Sequence, residues 1–426
     1  MRGNRKIALI LLVALSGLGS AFSLFAQEPI QLNVYMGWDA TNPAVNEVIE
    51  AYISEYEALN PHVRINNLGS NLNADAILTQ IIGGVPPDVI KGGMTMIMSL
   101  YLAGVLDPVP EPIAERVRET FFPVAVESVT VDGKLIAIPM EGNSTALMVN
   151  QQRLHEKGVA EVPPTWDEFA EVARRITEYD SDGNVVTPAL VEPGVDWSMS
   201  YFVLGMLKAE GAQLIDAEGN LGLATPAARR AVERLTSAIT EKPFLALGWN
   251  NHSRFTNGEI PFGLAYPWWY NGIVQSNQDV DHFRTTLIPA GSQGYGSAFY
   301  SHGYAVPESS QNRDEAWRFL AWLATFERPG EGTALGHIAS RINVLPITRA
   351  DLTSIHFSNV MPQFSGFTAS LDHATHPSDI LRHGLTNWPV ISRLVLDVAT
   401  RGVAPASALE NVITQLSAQL AAVRQK

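Results

Sequence analysis

QLNVYMGWDATNPAVNEVIEAYISEYEALNPHVRINN, residues 31–67, reads as strand, helix and strand in turn. A short alternating run over residues 31–36 leads to Asn42, a helix cap, and to Pro43, whose fixed φ suits a first helical position. Val45, Val48, Ile49, Tyr52, Ile53 and Tyr56 then recur at helical spacing until Asn60-Pro61 stops them. A second strand is expected near residues 63–67, a second helix over 74–82 ending at Gly83-Gly84, and a third strand from Pro87-Asp88-Val89-Ile90. This βαβαβ order implies parallel strands in a doubly wound sheet, with any ligand outside their carboxyl ends. The loops at Trp38-Asp39 and Lys91-Gly92-Gly93 are therefore expected to face a crevice.

The rest of the chain repeats the theme. At 426 residues it exceeds what one core serves, so two α/β lobes are expected. In PPTWDEF, Thr165 and Glu168 form a capping box for a helix from Trp166 to about Tyr179, followed by DSDGN. A calcium loop would need Gly sixth and Glu twelfth; here Gly183 is fourth and Val191 twelfth, so a plain hairpin turn is expected. Asn312 and Glu315 form a second box before a helix carrying Ala316, Phe319, Leu320, Trp322, Leu323 and Phe326, whose rings read as core, as do Trp166 and Trp317. A final helix is expected over residues 407–423.

The first residues carry Arg2, Arg5 and Lys6 ahead of an apolar run and small residues to Ala26, the pattern of a secretory leader. Its removal makes the remaining chain more acidic than the formal −14 of the whole, which argues against nucleic acid or an anionic membrane as partner. There is no cysteine, hence no disulfide and no lipid-acceptor thiol.

Chemistry-bearing motifs are missing. GxSxG, HExxH, GxxxxGK[ST] and a strand-following GxGxxG do not occur, so no catalytic residue and no cofactor is expected. His373, His376 and His383 with Asp372 and Asp379 lack the spacing of a known metal site and read as a polar loop. The tryptophans say more. Trp38, Trp197, Trp249, Trp268, Trp269 and Trp388 fall at strand ends, helix starts or loops, where a flat apolar face with a polar edge suits a sugar ring.

Four stretches, PPDVIKGG with AGVLDPV, DGKLIAIPMEGNSTALMVNQQRL into PPTWDEF, RFTNGEIPFGLAYPWWYNGI, and SHGYAVPESSQNRDEAWRFLAWLAT, occur in an order that resembles the extracellular solute-binding proteins of bacterial ABC importers, the family that includes maltose-type sugar-binding proteins. The resemblance implies two doubly wound α/β lobes joined by a multi-strand hinge, with crossings near residues 139–143, 294–301 and 344–347. It implies a leader over 1–26, a first lobe from 27–140 and 297–345, and a second from 141–296 and 346–426. It further implies a monomer outside the cytoplasm, in the periplasm or an equivalent space, that binds carbohydrate and serves the transmembrane subunits of an ABC permease. Carried onto this chain, the binding positions are Trp268 and Trp388 as stacking rings, Tyr270 as a second aromatic, Asp39 beside Trp38 as a hydroxyl acceptor, Asn143 at the lobe junction, and Trp197 or Tyr201 as a further aromatic. Gly92, Gly93, Met94 and Thr95 replace the aromatic and charged contacts of maltose-type relatives, which disfavours maltose and admits a bulkier ligand. Within AYPWWYNGI, extended alternation places Trp268 at the crevice and Trp269 in the core. Two other readings are a glycerol-phosphate or polyol ligand on the same fold, and a secreted glycoside hydrolase using Asp39 and Glu141.

Overall fold

The computed structural model describes residues 28–37, 43–69, 73–216, 218–385 and 387–424. The leader, Trp38, Asp39 and the Asn42 cap lie outside them. Two α/β lobes are built on sheets of the same design. In the first, Val63–Asn67 pairs in parallel with Ile30–Val34, which continues through a parallel bridge from Val34 to Val89. Ile90–Gly93 follows and pairs antiparallel with His302–Ala305, which in turn pairs with Ile138–Pro139. Lys91 and Gly92, expected in a loop, extend this strand because Tyr304 and Gly303 lie opposite them in the ladder.

In the second lobe the order is Leu245–Leu247, Leu190–Glu192, Phe262–Ala265, Ala146–Asn150, Phe283–Thr286. The first three are parallel, and Ala146–Asn150 runs against its two neighbours. Each lobe thus takes one antiparallel strand from beyond a crossing: His302–Ala305 in one, Ala146–Asn150 in the other.

Between the lobes, Asn143–Ser144 pairs with Phe299–Tyr300. Gly142 and Leu345 exchange both backbone hydrogen bonds, at 2.8 and 3.0 Å. A Cβ on Gly142 would stand 2.9 Å from both Ile347 Cγ2 and Phe299 Cε2, so only glycine lets these strands approach so closely.

Local signals set many boundaries. The helices Pro43–Leu59 and Ala74–Ile82 lie where periodicity places them, the second capped by Asn73 accepting from the Ala76 N–H. The helix after PPTWDEF begins at Trp166 with Thr165 as cap, but stops at Ile176 rather than Tyr179, because Glu178–Tyr179 is drawn into a hairpin with Val185–Thr187. Asp180 closes that hairpin by accepting from the Asp182 and Asn184 N–H groups at 2.9 and 2.8 Å. The Asn312 box does not form. Asn312 Nδ2 donates to Gln31 O and Asp88 Oδ1, while Glu315 accepts from Tyr56 Oη at 2.7 Å, so tertiary partners take both side chains. On that helix Trp317 is buried and Trp322 half-buried, whereas Phe326 is exposed just beyond its end. The final helix spans Pro405–Arg424 and buries Leu409, Val412, Leu416 and Leu420.

Trp269 is fully buried, and a Cβ on Gly263 would stand 2.5 Å from its ring. Gly263→Ala is expected to destabilise the protein by about 1–3 kcal/mol through overpacking, measured as a lower urea midpoint with unchanged slope; an unchanged midpoint would show that the ring can yield.

Candidate ligand-binding site

Three tryptophans follow the carboxyl ends of three neighbouring parallel strands in the second lobe. Leu190–Glu192 leads through Pro193-Gly194 to Trp197; Leu245–Leu247 leads through Gly248 to Trp249; Phe262–Ala265 leads through Tyr266-Pro267 to Trp268. Gly194 and Gly248 have φ of +72° and +110°, so each turns the chain at once from strand into the helix bearing its tryptophan. The result is a row. Trp268 is central, its ring 6.3 Å from Trp197 and 6.2 Å from Trp249. The flanking rings are 41% and 47% exposed, so apolar faces remain open to a ligand.

Trp268 is held from behind. Tyr266 lies 6.1 Å away and nearly parallel, at 9°, and itself donates to Ser198 O at 2.9 Å. Tyr266 in turn meets Tyr300 edge-on at 5.8 Å, on the strand that crosses between lobes. Under the row sits His252, its ring 4.3 Å from Trp269 and 5.8 Å from Trp268; burial pushes its imidazole down to about 4, so it is neutral at physiological pH.

Tyr201 packs 5.1 Å from Tyr300, and burial holds both phenols above their usual range. Glu141 is fully buried at the junction. Its Oε1 accepts from the His302 backbone N–H at 3.0 Å and lies 2.7 Å from His302 Nδ1, with Asn143 Nδ2 at 3.4 Å. Burial pulls the Lys91 ammonium well below its usual range, a displacement that the charge of Glu141 opposes.

The structure brings Trp197, Trp268 and Tyr201 to one connected aromatic wall through Tyr266 and Tyr300. It places the other expected contacts differently. Trp388 is 2% exposed and meets Tyr201 edge-on at 5.1 Å, so it backs a wall residue and has no free face. Tyr270 is 8% exposed and packs on Phe364, because the chain turns helical at Trp269 and carries the side chain inward. The same helix, rather than extended alternation, separates Trp268 from Trp269. Asn143 is buried within the crossing strand, against Glu141. Trp249 is the addition. It was visible as a tryptophan near a strand end, but its strand has only three residues. The segment 372–383, expected as a loop, forms a 3-10 turn, a short strand and a helix, and His373 meets Tyr295 while His376 faces Glu127.

A family model described as "Bacterial extracellular solute-binding protein" matches residues 40–327. The chain belongs to this family. The solute-binding protein is 24% identical over 348 residues to a maltotriose-binding protein of Pyrococcus abyssi, covering 79% of this chain and 71% of the relative. In fold it is similar to the sugar-binding protein MalE of Xanthomonas citri, with a TM-score of 0.76, 19% identity and coverage of 93% and 98% of the two chains. It is also similar to UgpB of Mycobacterium tuberculosis in complex with glycerophosphocholine, with a TM-score of 0.73, 17% identity and coverage of 93% and 99%. Both place its architecture among two-lobed binding proteins. No helix among the described residues is long and apolar enough to cross a membrane.

Glu192, at the end of the strand before Trp197, is fully buried, and burial raises its carboxyl to about 7 although Ser198 Oγ and the Gly194 N–H donate to it. A raised folded-state value means that its contribution to stability is complete below the unfolded value near 4.5 and is lost as pH rises through about 7. Unfolding free energies measured from pH 4 to 8 should therefore decline less steeply in Glu192→Gln than in the parent; parallel curves would refute the assignment.

Proposed function

We propose that this solute-binding protein captures a neutral sugar or oligosaccharide between its lobes and delivers it, as a monomer outside the cytoplasm, to the transmembrane subunits of an ABC permease. The observation that carries the reading is the row Trp197–Trp268–Trp249 at the carboxyl ends of three parallel strands. Successive sugar rings present apolar CH faces that stack on such a row, and their hydroxyl rims turn to the edges. Trp268 is the central platform, Trp197 and Trp249 extend it, and Tyr201 and Tyr300 form the side toward the hinge. Trp38 and Asp39, which follow the first strand in sequence, are proposed to supply a further aromatic contact and a hydroxyl acceptor. Asn143, Tyr270 and Trp388 act from behind, by holding the junction and the wall in place.

Binding without turnover is favoured over glycoside hydrolysis. Glu141 is buried and its Oε1 is occupied by His302 and Asn143, leaving it poorly placed to exchange a proton with a substrate. A phosphorylated ligand is disfavoured by the character of the wall, which is rings rather than Arg or Lys.

The chain lacking its first 26 residues is to be titrated with neutral mono- and oligosaccharides and with glycerophosphocholine, following tryptophan emission and thermal unfolding. A neutral saccharide should raise the melting temperature, since binding to the folded state alone stabilises by about 2.7 kcal/mol at a hundred times Kd. Trp268→Ala should weaken that binding by at least about 2 kcal/mol with little change in melting, whereas Trp269→Ala should cost about 3–5 kcal/mol of stability. Binding of glycerophosphocholine alone, or release of reducing sugar from an oligosaccharide, would reject the reading.

A further inference from the structure

The tryptophan row ends, at Tyr300, on a cavity of about 260 Å³ between the two lobes. That is far more than the roughly 10–15 Å³ that seats one water, so it has room for a chemical group. Met94 and Met96 of the first lobe face Tyr201, Phe299, Tyr300 and Pro377 across it. The thioethers occupy space left by glycines: a Cβ on Gly92 would stand 2.0 Å from Met96 Cε, and one on Gly303 2.9 Å from Met94 Cε. Here lies the physical meaning of the departure at residues 92–95 from the aromatic and charged pattern.

The lining is apolar in its larger part, and its polar groups are the hydroxyls of Thr95, Ser128, Tyr201, Tyr300, Ser301 and Ser378. None of the lining residues is an acid, a lysine, an arginine or a histidine. Of its serines, Ser128 donates to Ala125 O and lies 3.4 Å from Ser301 Oγ, while Ser378 donates to Ser128 O. A charged group placed here would meet no counter-charge, whereas the faces of Met94, Met96, Phe299 and Pro377 favour an apolar one.

We infer that the hinge end of the cleft receives an apolar, ring-sized substituent of the ligand, so that the preferred solutes are neutral glycosides with an aromatic or comparably apolar aglycone rather than free sugars. This rests on the saccharide reading of the tryptophan row and adds to it the chemistry of the ligand's other end.

The test compares methyl and phenyl glycosides of glucose, galactose, cellobiose and maltose by tryptophan fluorescence titration. In a series that binds, the phenyl glycoside should bind roughly tenfold or more tighter than its methyl partner, the size of discrimination that an apolar contact provides. Met96→Asn, which puts an amide into the cavity, should cut that ratio to below about threefold. Thr95→Asp is the second variant, since an acid suits the first turn of the Met94–Leu102 helix and should keep the fold while also reducing the ratio. Equal affinities within each pair, or a ratio unchanged in both variants, would overturn the inference and leave the saccharide reading standing. If no glycoside binds and glycerophosphocholine does, the saccharide reading itself falls, and this inference with it.

Discussion

The backbone ladder that joins the two lobes is the constraint on which the rest of this structure depends. Each sheet is completed by a strand that has come from the other side of a crossing, and the crossing segments pair with each other at Gly142–Leu345 and Asn143–Tyr300. Buried N–H and C=O groups must stay paired, so the lobes cannot part without unravelling two sheets. The motion that this pairing leaves open is rotation about the crossing strands, the hinge closure described for periplasmic binding proteins. Gly142 sits at the tightest point, where even a methyl group would press on Ile347 and Phe299.

The aromatic wall is the product of topology more than of composition. Parallel strands end together on one edge of their sheet, so residues far apart in sequence, such as Trp197, Trp249 and Trp268, become neighbours by obeying the same local rule of strand, turn and helix. The titratable side chains of the region sit behind this wall. Glu192 lies beneath the turn to Trp197, and Glu141 with His302 occupies the junction. On the proposed reading, a solute meets rings, hydroxyls and thioethers before any of these groups.

How much of this was legible beforehand follows the range of the interactions concerned. Caps and periodicities act within a turn or two, and they located the helices at Pro43, Ala74 and Trp166. Thr165 caps its exposed helix start as expected, accepting from the Glu168 N–H, although Glu168 Oε2 accepts from the Thr165 hydroxyl rather than from its backbone N–H. The box at Asn312 fails because Asp88 and Tyr56, more than two hundred residues away, are stronger partners for the same side chains. Ring burial was the least legible property. Trp268 and Trp388 look alike in sequence, yet one caps a helix at a sheet edge and the other is enclosed behind Tyr201. Only the fold could separate them. Trp249 was among the tryptophans singled out but not among the binding positions, since a three-residue strand gives too little pattern to mark its end.

Tyr266, stacked behind Trp268 and edge-on to Tyr300, joins the proposed platform to the ladder between the lobes, where Tyr300 pairs with Asn143. A single ring therefore separates the indole from the backbone of the crossing. Whatever seats on Trp268 rests, one aromatic removed, on the strands that hold the two lobes together.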